Sequence, residues 1–237
     1  MVRLPSKPLP RPSLAAALIL AGLAATPGLA NPQMPPASGP WSSADYVEAI
    51  FAVHNGVITL PRQANPKTRA FFDRLIDRGN IEAVMAAPLS AAEKRRDMLI
   101  ILSATGEFRG RYGYAVALGD DVEGELVAIQ IFRLYLIDRL VTLDIQDEAE
   151  KTRRSAAIAT ALFGTLDTLS EAPVFTTDQL LALSAAFARH YPVIRIKLDT
   201  REHETILRRL RKMAAQQSDP RLKSALATAL ATARSGN

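Results

Sequence analysis

Helix start and stop signals recur along the chain, and they constrain its fold more than any other feature of the sequence. Ser90 and Glu93 have the spacing of a capping box, in which the first side chain accepts a hydrogen bond from the N3 amide and the second reaches back. Asp199 and Glu202 repeat that spacing. Glycine or proline closes most of the segments between such signals. The pattern predicts an all-α fold, either a single multi-helix bundle or an irregular helical array of about eight to nine helices.

These signals, combined with apolar residues three or four positions apart, place the individual helices. Ser43, Asn80 and Thr177 are the expected N-caps of three of them. Pro192 is expected to end one helix, after which residues 193–198 form a connection or a helix start, or alternatively a short strand. The predicted helices span residues 46–55, 67–78, 81–87, 91–118, 122–143, 147–170, 178–190 and 203–217, with a last helix from Pro220.

The segment 106–119 contains four glycines and allows two interpretations. Large and small residues alternate strictly from Tyr112 to Gly119, which is the period of a β-strand, and a hairpin would follow. In a helix, Gly106, Gly110 and Gly113 instead fall in one narrow stripe. A phosphate-cradling loop does not fit, because neither glycine fingerprint of such loops is present. The helix accounts for more of the segment, and we expect a helix.

Glycines inside a helix need a compensating contact. Three of them cost roughly 3 kcal/mol relative to alanine, at about 1 kcal/mol each. We expect the glycine stripe to pack closely against the helix of residues 122–143, gaining dispersion contacts that Cβ atoms would block. On this hypothesis, Gly110→Leu destabilises the fold strongly.

The first thirty residues have the layout of a secretory signal peptide. A basic start precedes a short apolar run over residues 14–25, and small residues lead up to Ala30. The apolar run is shorter than the ~20 residues of a membrane-spanning helix. We therefore expect a cleaved signal peptide over residues 1–30, a proline-rich linker over 31–42 and a helical domain over 43–237.

The expected export and the net charge limit the possible cellular location and the possible partners. The expected location is the periplasm, with full secretion as the alternative. The chain has no cysteine, so disulfides, thiolate metal sites and an acylated N-terminal cysteine are excluded. The formal charge of +5 falls to +2 when Arg3, Lys7 and Arg11 leave with the signal peptide. Such a balance does not indicate a nucleic-acid partner.

No transmembrane span is expected after signal cleavage. Residues 122–143 contain a long series of apolar residues. Glu123, Arg133 and Asp138 interrupt it, and ionisable residues are costly inside a bilayer. Its apolar residues at three-to-four spacing therefore predict a helix of a protein core.

The sequence carries no recognisable catalytic or metal-binding motif. His54, His190 and His203 have no partner at ligand spacing, and no serine lies in a nucleophile elbow. We therefore predict no catalytic residue, no metal and no cofactor. The acidic clusters at residues 120–125 and 144–150 flank helix starts, where carboxylates favour the helix dipole. Carboxylate pairs are recognised by distance in space, so an enzyme of that kind stays open.

Two groups of residues are candidates for binding. Arg109 and Arg111 beside Tyr112 form the first group, in which basic surface positions adjoin an aromatic one. Arg208 and Lys212 form the second, and they share one face of a predicted helix whose opposite face is apolar. That arrangement suits an anionic membrane surface, and it also suits an ordinary solvated helix.

The missing motifs and the balanced charge favour an exported, non-catalytic interaction protein that holds a partner protein or the envelope. The alternative is a carrier of a small apolar ligand in an inter-helix cavity, since 48% of the chain is hydrophobic. A carboxylate-dependent cell-wall hydrolase is a third option. The expected partners are therefore an unidentified protein or a small apolar ligand, with peripheral contact to an anionic membrane as a further expectation.

Overall fold

The fold is all-α, as the sequence predicts. A computed structural model describes residues 35–36, 38–58, 66–144, 147–171 and 174–235, which contain nine helices and no strand. The expected signal peptide and part of the expected linker lie outside these residues, as does most of the expected loop at 57–66. The helices are α1 (Ser43–His54), α2 (Pro66–Leu75), α3 (Arg78–Ala86), α4 (Ala91–Ala117), α5 (Glu123–Val141), α6 (Glu148–Ser170), α7 (Thr177–Arg195), α8 (Thr200–Gln216) and α9 (Pro220–Ser235).

Helix α5 lies at the centre of the array. It packs against α3, α4, α6 and α7, so it is covered on most of its circumference. A helix that is apolar nearly all round is one that belongs in a core. Its buried side chains are Leu126, Val127, Ile129, Phe132, Leu134, Leu136, Ile137, Leu140 and Val141, with Gln130 and Arg133 among them. The apolar spacing over residues 122–143 thus identified the central element.

The other helices form layers around α5. Helix α1 packs against α4, while α7 packs against α9, and α8 packs against both α9 and α6. Trp41 precedes α1 and is buried against Tyr46 and Phe71. The chain therefore already enters the core at Trp41, one residue before the expected end of the linker.

The capping boxes at the start of α4 and α8 are confirmed. The hydroxyl of Ser90 accepts from the Glu93 amide, and Asp199 does the same for Glu202. Two other caps lie one residue earlier than expected, at Ser42 and Thr176. Three residues after each of these caps lies an acid or amide side chain, Asp45 or Gln179, that completes a capping box. This pairing explains why Ser42 and Thr176, rather than the residues after them, are the caps.

The boundary between α2 and α3 was predicted wrongly. Helix α2 ends at Leu75, and the side chain of Asp77 accepts from the Gly79 amide to cap α3. Asn80 is therefore inside α3 and fully buried, where its amide nitrogen donates to the Arg74 carbonyl (2.8 Å) and the Tyr46 hydroxyl (3.0 Å). Its amide oxygen accepts from the Trp41 amide at 2.7 Å. Asn80 thus joins α1, α2 and α3 rather than starting a helix.

Pro192 does not end its helix. Helix α7 continues through it to Arg195, and a turn over residues 196–198 leads to α8. Neither a strand nor a helix start forms at residues 193–198. A proline removes one backbone hydrogen bond. Tyr191 and Ile194, both fully buried, pack the last turn of α7 onto the core and so hold it in place.

The segment 106–117 is helical, and the alternative strand is wrong. Helix α4 runs to Ala117 and ends before Gly119, whose φ of +88° is the left-handed conformation that glycine favours. The proposed reason for the glycines is wrong at two of three positions. A Cβ added at Gly110 or Gly113 would meet nothing within 4 Å, so no helix packs closely there. The expected damage from Gly110→Leu therefore has no structural basis.

We predict that Asn80→Ala lowers the free energy of unfolding by at least about 2 kcal/mol. The substitution leaves the buried Trp41 amide without its acceptor, which costs about 1–3 kcal/mol, and it also removes the hydrogen bonds that Asn80 donates to the Arg74 carbonyl and the Tyr46 hydroxyl, at about 1 kcal/mol each. Chemical denaturation followed by circular dichroism measures the loss. Asn55→Ala, at an exposed position after α1, is the control and should cost far less. Equal losses would contradict the role of Asn80.

Candidate functional site

A guanidinium group is buried beside the middle of the central helix. Arg133 of α5 is 7% exposed, and its Nη1 donates to the Leu102 carbonyl (2.6 Å) and the Thr105 hydroxyl (3.2 Å) of α4. A Cβ added at Gly106 would lie 2.9 Å from that Nη1. Gly106 is therefore the glycine of the stripe with a clear structural reason: it makes room for the Arg133 side chain.

A second arginine lies in the same region and reaches from α4 to α6. The Nη2 of Arg109 donates to the Gly164 carbonyl at 3.2 Å, and Gln130 of α5 donates to the same oxygen at 2.9 Å. A Cβ added at Gly164 would lie 3.4 Å from Cζ of Arg109. Because Gly164 has no side chain, the Arg109 guanidinium can approach the main chain of α6. Gly106 leaves room on α4 for Arg133 in the same way. We call Arg109 and Arg133 the arginine pair.

The arginine pair has no acidic partner in the part of the chain that the structure describes. Burial, and secondarily the positive charge of Arg109, lowers the pKa of Arg133 to about 9. The guanidinium therefore stays charged at neutral pH. The Nε atoms of both arginines are buried and have no hydrogen-bond acceptor among the described residues. Buried charges are normally paired, so this arrangement is unusual.

Two further arginines lie near the first turns of α4 and α6. Arg95 of α4 forms an ion pair with Glu150 of α6 and also donates to the Asp144 carbonyl at 2.5 Å. Arg154 of α6 donates to the Leu143 carbonyl at 3.0 Å. Arg109 and Gly164 lie fourteen residues further along their helices than Arg95 and Glu150, about 21 Å on. Arginines therefore connect α4 to α6 at two levels, and we call this contact region the seam.

The other two candidates on α4 lie away from the seam. Arg111 pairs with Glu107 at 3.1 Å, an acid-before-base pair four residues apart. Tyr112, expected at the surface, is only 1% exposed and its ring packs edge-on against Phe72 with the centroids 5.4 Å apart. The alternating pattern of segment 106–119 could not show this, because helical geometry turns Tyr112 inward beside Phe108.

The two candidates on α8 are exposed, as expected. Ile206 and Leu210 are fully buried on one side of the helix, while Arg208 and Lys212 face solvent on the other. Together α8 and α9 contain eight basic and two acidic residues. Arg209 is the basic residue of α8 that forms an ion pair, with Asp167 of α6 at 2.5 Å, among the described residues. The exposed basic residues of α8, named here the basic face, are Arg201, Arg208, Arg211 and Lys212.

The start of the basic face adjoins two exposed apolar side chains and a polar depression. Val193 is 39% exposed and Ile196 is 65% exposed where α7 meets α8. The depression has a volume of about 490 Å³. Its lining consists of Asp144, Lys151, Thr152, Arg154, Ser155, Ile196, Lys197, Leu198 and Asp199. Most of these side chains are polar or charged, which does not suit a small apolar ligand.

The histidines occupy structural positions. His190 is buried inside α7 rather than at its end, and its Nδ1 lies 2.6 Å from the Asp138 carboxylate of α5. The Nδ1 of His203 lies 2.8 Å from the Tyr191 hydroxyl. No group of acidic or histidine side chains in the described ranges is arranged to hold a metal ion. No helix of the described chain is long and apolar enough to cross a membrane.

No protein-family model matches this chain, and no curated protein or solved structure is detectably similar to it. Similarity therefore assigns it no function. The two features that call for a functional explanation are the arginine pair inside the fold and the basic face outside it.

We predict opposite effects for the same substitution at two glycines of α4. Gly110→Ala should stabilise the fold by about 1 kcal/mol, because alanine favours a helix and nothing lies near the new Cβ. Gly106→Ala gains the same propensity but displaces Arg133 from the Leu102 carbonyl, and hydrogen bonds of charged groups contribute about 1.5–3 kcal/mol. It should therefore be net destabilising by about 1 kcal/mol. Urea unfolding measures both, and equal effects would contradict the account.

We predict that acidification weakens the fold through His203. Burial, and secondarily the positive charge of Arg195, lowers the pKa of His203 below its ordinary value of 6.5. The unfolded chain then binds more protons, so stability falls as the pH drops from about 6.5 towards the lower folded-state value. Unfolding measured from pH 7.5 to 5 should show this slope, and His203→Gln should reduce it. Asn55→Gln, an exposed substitution that changes no titratable group, is the control and should leave the slope unchanged.

Proposed function

We propose that this chain is an exported, non-catalytic protein that attaches to an anionic surface of the cell envelope through its basic face. The observation that carries the proposal is the distribution of charge. The formal charge of residues 31–237 is +2, whereas α8 and α9 alone contribute +6 from eight basic and two acidic residues. The remainder of that chain is therefore net acidic, and an anionic surface would attract the α8–α9 end and repel the rest.

The composition of this end suits a membrane surface. Each lysine or arginine near an anionic leaflet contributes about 1 kcal/mol of attraction. Val193 and Ile196 add exposed apolar side chains beside the first turn of α8, which can enter the headgroup region. Helix α8 also stays anchored to the fold by Ile206 and Leu210, so attachment through the basic face requires no unfolding.

The proposed location is the periplasm, which rests on the basic, apolar and small-residue order of the first thirty residues. Determining the N-terminal residue of the protein recovered from an envelope extract would test it. A chain beginning at Asn31 supports export with cleavage after Ala30. A chain that retains its first residues and fractionates with the cytoplasm would contradict export.

We predict that the full-length mature chain binds vesicles of phosphatidylglycerol mixed with phosphatidylcholine, but not vesicles of phosphatidylcholine alone. Replacing Arg208, Arg211 and Lys212 with glutamine should weaken binding on the order of 100-fold, because three charges contribute about 1 kcal/mol each. Co-sedimentation at increasing salt concentration measures the affinity, which should fall as salt screens the charges.

The matched control removes three exposed basic residues from other helices. It replaces Arg69, Arg96 and Arg153 with glutamine, which lowers the net charge equally. This variant should keep most of the vesicle affinity. If both triple variants lost binding equally, net charge rather than the basic face would be responsible. If the unmodified chain bound neither kind of vesicle, the proposal would be wrong, and an acidic protein would be the next partner to test.

A further inference from the structure

The last turns of α4 carry two large apolar side chains that the fold leaves in solvent. Tyr114 is 45% exposed and Leu118 is 66% exposed, which makes Leu118 the most exposed large apolar residue of the described chain. The two residues are four positions apart on one helix, so their side chains adjoin. Single apolar residues on a surface are ordinary, whereas an adjoining pair with an aromatic ring is typical of a contact site. We call Tyr114 and Leu118 the ridge.

Small residues lie beside the ridge. Successive residues of a helix are roughly 100° apart, so Gly110, Gly113 and Ala117 lie about 90° round the α4 axis from Tyr114 and Leu118. Gly110 and Ala117 are exposed, and a Cβ added at Gly110 or Gly113 would meet nothing within 4 Å. These three residues therefore form a shallow groove along the surface of α4, and we call them the groove.

Packing within the described chain does not explain the two glycines of the groove. Gly106 and Gly164 make room for arginine side chains, but no side chain or neighbouring helix approaches Gly110 or Gly113. Glycine is unfavourable inside a helix, so a compensating contact is expected outside the chain. Small residues on a helix surface allow a second helix to approach closely and gain dispersion contacts.

A second copy of this chain has the shape that fits this face. A symmetric contact needs a surface that carries both the projecting and the receiving part, and α4 carries the ridge and the groove side by side. When a two-fold axis runs along two parallel α4 helices, each ridge faces the other groove at the same level, because Tyr114 lies between Gly110 and Ala117 along the helix. Glu107 and Arg111 beside the ridge form an ion pair at 3.1 Å, so this face does not repel its own copy.

We propose that two copies of this chain form a parallel dimer through α4, with the ridge of each copy in the groove of the other. The contact covers only the C-terminal turns of a 27-residue helix, so its area is at the lower end for specific interfaces. The dimer should therefore dissociate in the micromolar range. The interface does not include the basic face and does not depend on the proposed surface attachment.

Sedimentation velocity of the mature chain across the micromolar range tests the proposal. The chain should shift from monomer to dimer as its concentration rises. Replacing Tyr114 and Leu118 with serine should weaken dimerisation at least about 100-fold, because both apolar contacts of the ridge are lost. The matched control replaces Val193 and Ile196 with serine, since these apolar residues are 39% and 65% exposed where α7 meets α8. This control should dimerise as the unmodified chain does.

A monomer at every concentration would overturn the proposal. Equal weakening by the two double variants would also overturn it, because association would then be general apolar adhesion rather than a contact through α4.

Gly110→Ala separates the dimer from an unused groove. The added methyl group occupies the groove and should weaken dimerisation about tenfold or more, while the fold of the monomer becomes more stable. Tighter folding with looser association is the expected combination. An unchanged dimer affinity would contradict the groove as the receiving surface.

Disulfide formation tests the parallel arrangement, because the chain contains no cysteine of its own. In a parallel dimer the two copies of Ala117 lie at the same level near the axis, so Ala117→Cys should form a disulfide between copies under mild oxidation. Ala227→Cys, at an exposed alanine of α9, is the control and should react only at the rate of chance encounters. Equal rates at the two positions, or no disulfide at Ala117→Cys, would overturn the parallel dimer.

Discussion

The burial of the Arg133 guanidinium in the central layer constrains how α4 packs against α5. A charged group in a core must find acceptors, and here they are a main-chain carbonyl and a hydroxyl of α4. Only a residue without a Cβ leaves that carbonyl accessible, so Gly106 follows from Arg133. Arg109 likewise needs space beside α6, and Gly164 provides it because it has no Cβ. The positions of α4 and α6 over α5 are thus linked through two side chains and two glycines.

The positive charge of the molecule is divided between two settings with different physics. On the basic face, side chains lie in water, where each charge contributes little by itself and acts mainly through the summed field. In the arginine pair, Arg133 is buried and Arg109 is half-buried, so each charge depends more on specific acceptors. The first setting suits the broad, diffuse partner proposed above, and the second holds α4 against α5 and α6.

The sequence predicted the parts of this fold that depend on local chemistry. The capping boxes of α4 and α8, the central helix and the two faces of α8 follow from spacing alone, because each depends on neighbours within one or two turns. Asn80 was misplaced because a buried asparagine joining three helices has the same local appearance as a cap. For the arginine pair, the sequence indicated Arg109 as a candidate but not its neighbour Arg133. Their relation depends on how α4 packs on α5, and helical periodicity does not specify that packing.

The choice of acceptors for these arginines has a consequence for stability in acid. Carbonyl oxygens and hydroxyls do not take up protons in mild acid, whereas carboxylates that hold arginines lose their charge. Arg109, Arg133 and Arg154 bind main-chain carbonyls, and only Arg95 relies on a carboxylate as well. The arginine contacts that join α4 to α5 and α6 are therefore largely acid-resistant, and we expect loosening at low pH to begin outside them, at His203 where α7 meets α8.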